Sequence, residues 1–142
     1  MSKDLVATAS VEVKAPAGKA WQALTDPARI KQYMFGTNVV SDWEVGSPIV
    51  WKGEWEGKKY EDKGEILQIE PEKTLKYSHF SPMAGQPDKP ENYHDVTINL
   101  EPAGGGTKIT LSQDNNPDEK AKEQSAKNWQ MMLDSLKKLL DS

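Results

Sequence analysis

The clearest periodicity in the chain lies near its C-terminal end. Between Asn116 and Asp141, Trp129, Met132, Leu133, Leu136, Leu139 and Leu140 recur at spacings of three and four, which lays them along one helical stripe. Lys127, Asp134, Lys137, Lys138 and Asp141 fall between them as the solvent face. The start is marked as well: Asn116 can cap the free amides of the first turn, Pro117 suits the first helical position, and Asp118 and Glu119 sit at the positive end of the helix dipole. At 1.5 Å per residue, residues 117–141 span roughly 37 Å. A helix of that length with a single apolar stripe needs a wide surface beneath it.

The remaining pattern supplies that surface. Leu5, Ala7, Ala9, Val11 and Val13 share one parity and Thr8, Ser10, Glu12 and Lys14 the other, which predicts a strand. Ala15-Pro16 ends it. Two short helices follow, Ala17 to Leu24 with Ala20, Trp21 and Leu24 inward, and a second through about Tyr33 with Asp26 as cap and Pro27 at its first position. Val39 and Val40 suggest a brief strand, and 42–46 a turn. From Pro48 the rhythm is two-fold: Ile49, Trp51 and Trp55 share a face, Glu56-Gly57 turns, and Lys58 to Ile69 returns, with Gly64 marking a bulge or a close approach. Thr74 to Phe80 places Leu75, Tyr77 and His79 together. The Pro-rich stretch 81–91 is a loop. Tyr93 to Leu100 aligns His94, Val96, Ile98 and Leu100, Gly104-Gly105-Gly106 falls in a hairpin loop, and Thr107 to Gln113 brings Ile109 and Leu111 inward. Hairpin-length connections imply an antiparallel sheet, and strands segregated from a long terminal helix imply an α+β fold. A curved sheet wrapped around that helix satisfies both its length and its one stripe.

Several phrases in this order resemble the START-like, birch-pollen-allergen-like helix-grip superfamily (SRPBCC), and within it the branch named for the activator of heat-shock-protein-90 ATPase. They are VEVKAPAGKAWQALTDPARI at 11–30, SDWEVGSPIVWKGE at 41–54, KGEILQIEPEKTLKYSHFSP at 63–82, VTINLEPAGGGTKITLSQDN at 96–115 and NWQMMLDSLKKLL at 128–140. The resemblance implies a seven-stranded antiparallel sheet gripping the C-terminal helix, with two short helices after the first strand and a cavity between sheet and helix. Relatives use such a cavity for lipids, polyphenols and hormones, or for polyketide cyclisation. The branch takes its name from a eukaryotic cochaperone in which a domain of this kind is joined to a second one. Here one helix-grip domain is expected over residues 1–142.

Candidate chemistry concentrates on the inward parities. Trp51, Trp55, Tyr77, His79, Tyr93 and Trp129, with Met131, Met132 and Leu133, either line a ligand cavity or fill the core, Met131 lying off the main stripe. His79 and His94, the two histidines, are either imidazoles serving a pocket or hydrogen-bonded residues at strand ends, and the second reading is favoured. The charged hairpin carries Glu54, Glu56, Glu61, Asp62 and Glu65 among lysines, a pattern typical of a solvated hairpin, with Glu54 and Asp62, expected on the inward parities of their strands, the acids to examine first. The glycine run lacks the lysine and following helix of a phosphate loop. No spacing supplies a metal site, and no residue is singled out as catalytic.

Composition narrows the function classes. Twenty-two acids against eighteen bases give a formal net charge of −4, which disfavours nucleic acid as the partner. The absence of cysteine removes disulfides and thiolate chemistry. The first residues, MSKDLVATAS, carry no apolar signal core, and no run of eighteen apolar residues occurs, so a cytoplasmic protein without integral membrane contact is expected. These features favour non-enzymatic binding of a small apolar or amphipathic molecule between sheet and helix, with no cofactor. Trp51, Trp55, Tyr77, His79, Trp129, Met132 and Leu133 would form the pocket, and Phe35 with the 81–91 loop its mouth. Two other classes stay open: an interaction protein acting on a chaperone ATPase, as the branch name suggests, and a cyclase- or hydrolase-type enzyme using the same cavity.

Overall fold

In the computed structural model the first strand, β1 (Ala7–Val13), alternates as its sequence does, with Ala7, Ala9 and Val13 buried and Thr8, Ser10 and Glu12 exposed. The structure describes residues 5–34, 36–55, 57–81, 87–116 and 118–141, and of Trp55, Lys58 and Pro90 only the backbone. Pro16 stops β1, and α1 (Ala17–Thr25) buries Ala20, Ala23 and Leu24, whereas Trp21 is only partly covered. α2 (Pro27–Tyr33) starts as its sequence predicts: the Asp26 carboxylate accepts from the Ala28 amide at 3.0 Å and Pro27 occupies the first turn.

Six further strands follow: β2 (Asn38–Ser41), β3 (Pro48–Trp55), β4 (Lys58–Glu70), β5 (Thr74–His79), β6 (His94–Ala103) and β7 (Gly106–Gln113). They form one antiparallel sheet in the order β1-β7-β6-β5-β4-β3-β2. Hairpins connect β2 through β7 in sequence, so β1 and β2 end on opposite edges, with α1 and α2 carrying the chain between them. Ala103 pairs with Gly106, leaving Gly104 and Gly105 as a two-residue turn with both φ positive, which settles the glycine run as a hairpin. A shift in register between Ile66 and Gln68 interrupts the β4–β5 ladder.

The long helix, α3 (Glu119–Asp141), lies over the concave face. Leu133 and Leu136 are fully buried in a cluster with Val13, Leu24, Leu100, Ile109 and Leu111. Its flank follows the outer edge of β1. Gln130 Nε2 donates to the Ser10 carbonyl at 3.0 Å, Lys137 Nζ to the Glu12 carbonyl at 2.7 Å, and the Asp141 carboxylate accepts from the Lys14 amide at 2.8 Å. Edge groups that would otherwise face solvent are thus partnered by the helix. The Asp141 carboxyl is held below its ordinary value by its bond to Lys137 and then by the Lys14 amide.

The helix start differs from the sequence expectation. Asp118, not Asn116, caps it, accepting from the Ala121 amide at 2.8 Å. Asn116 is buried instead: its amide donates to the carbonyls of Leu5 (2.8 Å) and Gln113 (3.1 Å), and its side-chain oxygen accepts from Ser125 (3.1 Å). A side chain enclosed under the first turns must satisfy its own polar atoms there, so it ties β7, α3 and the N-terminal segment together. The expected role of Pro117 falls outside the described residues. Among the described residues, no helix is long and apolar enough to cross a membrane.

Candidate functional site

The concave face is not filled evenly. Where β3, β4 and β5 face the first half of α3, two adjoining lobes remain open, of about 210 Å³ and 290 Å³. Met34, Thr37, Tyr60 and Trp129 border both. The inner lobe adds Trp51, Asp62, Tyr77 and His79; the outer adds Gln113, Ser125, Asn128, Met132 and, at its rim, the exposed Glu54.

Strand register brings these side chains together. Trp51 on β3 pairs with Asp62 on β4, and Gly53 with Tyr60. A methyl group on Gly53 would overlap the Tyr60 ring, so the glycine makes room for that ring to fold across the hairpin. The Tyr60 hydroxyl lies 2.6 Å from Thr37 Oγ1, and the Thr37 hydroxyl donates to the Met34 carbonyl at 2.7 Å, so the phenol is the donor to Thr37. Between β4 and β5, Lys63 faces Phe80 and Ile66 faces Tyr77, a register that sets His79 beside Gly64 and diagonal to Asp62. A Cβ on Gly64 would overlap the Ser78 carbonyl oxygen, which bears out the close approach expected of this glycine.

At the floor of the inner lobe, His79 Nε2 lies 3.1 Å from Asp62 Oδ2, with the two side chains only 21% and 19% exposed. An ionised carboxylate only accepts, so Nε2 carries the proton. The other carboxylate oxygen, Asp62 Oδ1, is sealed from solvent and has no hydrogen-bond partner among the described residues. Leaving such an atom unmatched costs on the order of 1–3 kcal/mol. Trp51 packs edge-on against His79 (5.0 Å between centroids) and tilted against Tyr77 (5.1 Å). Burial pushes the Tyr77 and Tyr33 hydroxyls far above the ordinary phenol range, so both stay protonated. Opposite, Trp129 Nε1 donates to Gln113 Oε1 at 2.5 Å, fixing the indole as a wall.

Of the residues singled out from sequence, Trp51, Tyr77, His79, Trp129 and Met132 border the open space. Leu133 does not; it belongs to the closed core one residue further on. Phe35, the Trp55 side chain and residues 82–86 of the loop lie outside the described residues. Tyr93 stacks on Phe80 (5.0 Å) and donates to Asp88 at 2.7 Å, away from both lobes. His94 Nδ1 meets the Asp114 carbonyl at 2.9 Å at its strand end, and Met131 is exposed. Glu54 lies on the outward parity of β3, against the expectation that it shares the inward one; Asp62 points in.

Six bordering residues were not anticipated: Met34, Thr37, Tyr60, Gln113, Ser125 and Asn128. Tyr60 shares the parity of Asp62 and Ile66, but it stands among charges that mark a solvated hairpin. Gln113 continues the inward series Ile109 and Leu111, a signal available in the sequence. Thr37 sits in a connection without periodicity. Among the described residues, no cluster of three His, Asp or Glu side chains could hold a metal ion.

Comparison with known proteins places this architecture. The family model described as Activator of Hsp90 ATPase homolog 1-like protein matches residues 14–141. A solution structure of a protein from Cytophaga hutchinsonii is 55% identical, with a TM-score of 0.85 over 99% of this chain and 96% of that one. A crystal structure of a protein from Mesorhizobium loti is 26% identical, with a TM-score of 0.77 over 96% of each chain. The solution structure of the Aha1 dimer from Colwellia psychrerythraea, at 21% identity, shares the fold with a TM-score of 0.74 over 96% of each chain. No curated protein matches the sequence. With the sheet, the gripped helix and the matched sequence in agreement, the chain belongs to the Activator of Hsp90 ATPase homolog 1-like family.

Proposed function

We propose that this chain binds one small amphipathic molecule in the space between α3 and the β3–β5 wall, without transforming it. The observation that carries this reading is an aromatic-walled space bordered by a few polar side chains, Asp62, His79 and Gln113 among them. Trp51, Tyr77 and Trp129 offer rigid apolar surface, and Met34 and Met132 adapt to irregular shapes. Asp62 and His79, both partly exposed, are polar groups that a bound molecule meets in the inner lobe. Concave, mostly apolar walls with a few oriented polar groups are the usual make-up of a small-molecule site.

Native mass spectrometry of the protein as purified from cells tests this reading directly. A retained small molecule is expected, and Trp129→Ala should lose it or bind it at least tenfold more weakly. If Trp129→Ala changes neither binding nor melting temperature, the site lies elsewhere.

A second reading, acid–base chemistry on the bound molecule, is favoured by one observation: His79 and a buried acid do converge in the cavity. Asp62 fixes Nε2 and leaves Nδ1 as the basic nitrogen. Incubation in deuterated water separates the two. His79-dependent exchange of carbon-bound protons would establish chemistry, and a ligand recovered without deuterium on carbon would leave binding alone. A chaperone contact, suggested by the family description, needs an exposed apolar patch. The exposed large apolar side chains among the described residues, Val40, Val45 and Met131, sit on β2, in the β2–β3 turn and on the outer face of α3.

A further inference from the structure

Four side chains that carry a polar atom and border the lobes are almost wholly buried: Thr37 and Trp51 at 5% exposure, Tyr77 at 6% and Gln113 at 8%. Thr37 is satisfied in both directions, donating to the Met34 carbonyl and accepting from Tyr60. Gln113 is satisfied at one end. An indole N–H only donates, so the atom facing Trp129 is Oε1, and Nε2 is the end left over. The Trp51 N–H, the Tyr77 hydroxyl and Gln113 Nε2 have no hydrogen-bond partner among the described residues. None of the three is sealed as Asp62 Oδ1 is. That oxygen is the one inaccessible, unmatched side-chain atom among the described residues, so the three donors keep accessible surface. Their residues sit on the concave face, and the surface they keep opens on the space they border.

The three free groups are of one kind. An indole N–H and an amide NH2 donate and cannot accept, and the Tyr77 hydroxyl, kept protonated by burial, has a proton to give. Trp51 and Tyr77 stand side by side on the inner lobe, with ring centroids 5.1 Å apart. A ligand that covers a buried donor without accepting from it leaves that donor unmatched, which is costly. An oxygen with two lone pairs and no proton of its own answers two donors at once. Resting on the ligand-binding reading above, we infer that the inner lobe recognises a carbonyl oxygen of the ligand through the Trp51 N–H and the Tyr77 hydroxyl, while the ligand's apolar body lies against Trp129 and Met132 in the outer lobe. Trp51 and Tyr77 are then specificity residues as well as walls. The Tyr60–Thr37 and Trp129–Gln113 bonds hold the surrounding walls in place and take no part in this contact.

Two probes of one shape decide this, 2-acetylnaphthalene and 2-isopropenylnaphthalene, which differ only by a carbonyl oxygen in place of a methylene group. The alkene is the more readily desolvated, so a preference for the ketone has to come from hydrogen bonds. NMR titration gives affinity, and the indole N–H signals of Trp51 and Trp129 report which groups are met. Wild-type protein is expected to bind the ketone about fivefold tighter or more, with the Trp51 N–H signal moving downfield for the ketone alone. Tyr77→Phe keeps the ring against Trp51 and should reduce the preference by about threefold while leaving the alkene's affinity unchanged. An unchanged preference in Tyr77→Phe takes the hydroxyl out of the contact and overturns the two-donor arrangement. Equal affinity of wild-type protein for the two probes, or preference for the alkene, overturns the inference while leaving the cavity reading intact; this comparison needs no variant to fold. If neither probe binds and neither indole signal moves, the inference and the cavity reading fail together.

Discussion

The two halves of α3 cover the same sheet and do opposite things with it. Toward the C-terminus, Leu133 and Leu136 are fully buried, in the core that also holds Val13, Leu100, Ile109 and Leu111. One turn earlier, Trp129 and Met132 face Trp51, Tyr60, Asp62 and Tyr77 across open lobes of about 210 Å³ and 290 Å³. Branched aliphatic side chains interdigitate to near-crystalline density. Rigid rings held apart by their own hydrogen bonds, Trp129 to Gln113 and Tyr60 to Thr37, do not collapse on one another. The sheet's grip on the helix is therefore tighter at one end, which leaves the other free to stay hollow.

That contrast is broken most directly at Leu136. Truncation of a fully buried leucine in a closed core costs about 2–5 kcal/mol, so Leu136→Ala should lower stability by that much in denaturant titration and leave the ligand affinity of the folded fraction unchanged. Trp129→Phe should do the reverse, losing the bond to Gln113 at a stability cost of about 0.5–1.5 kcal/mol while altering binding more. If the Trp129 change is the costlier to stability, the division of the helix into anchor and wall is wrong.

The wall can be disturbed without touching a ring. Gly64 lets β4 approach β5 so closely that an alanine there would overlap the Ser78 carbonyl oxygen. Gly64→Ala should cost about 1–3 kcal/mol by overpacking. It should also pull His79 away from Asp62, which the imidazole nitrogen signals would register as loss of the Nε2–H bond. Unchanged imidazole signals would mean that the pair is held by something other than strand spacing.

How much of this was open to a reader of the sequence depends on the range of the signal. Alternation and three-four spacing gave the strands, the long helix and the inward set, because each is decided within a few residues. Asn116 and Asp118 were exchanged at the helix start because both are good caps, and only the tertiary position of Asn116, beneath the first turns and bonded to Leu5, excludes it from that role. Leu133 and Met132 are neighbours on one stripe, and periodicity cannot say which level of the sheet each one meets. Tyr60 was hidden by the charges around it, although its parity with Asp62 pointed inward. The Asp62–His79 pair depends on the β4–β5 register, and no local pattern reveals that a histidine and an aspartate seventeen residues apart lie on one diagonal.

The smallest expected effect on stability is at Asp62 itself, and its sign is the informative part. A residue kept for packing should cost stability when changed; one kept for a ligand carries a burden that the empty protein would shed. Asp62→Asn preserves the side-chain shape and an acceptor for His79 while removing a charge that has one partner and one sealed, unmatched oxygen. Its melting temperature without ligand should stay level or rise slightly, corresponding to less than about 1 kcal/mol, because the change removes a half-buried charge while its amide puts an unmatched NH2 where the unmatched oxygen was. A loss of more than about 1 kcal/mol would mean instead that the carboxylate is a structural partner of His79, because removing one member of a needed buried pair is strongly destabilising. In that case the hollow end of α3 would owe its polar floor to folding and not to recognition.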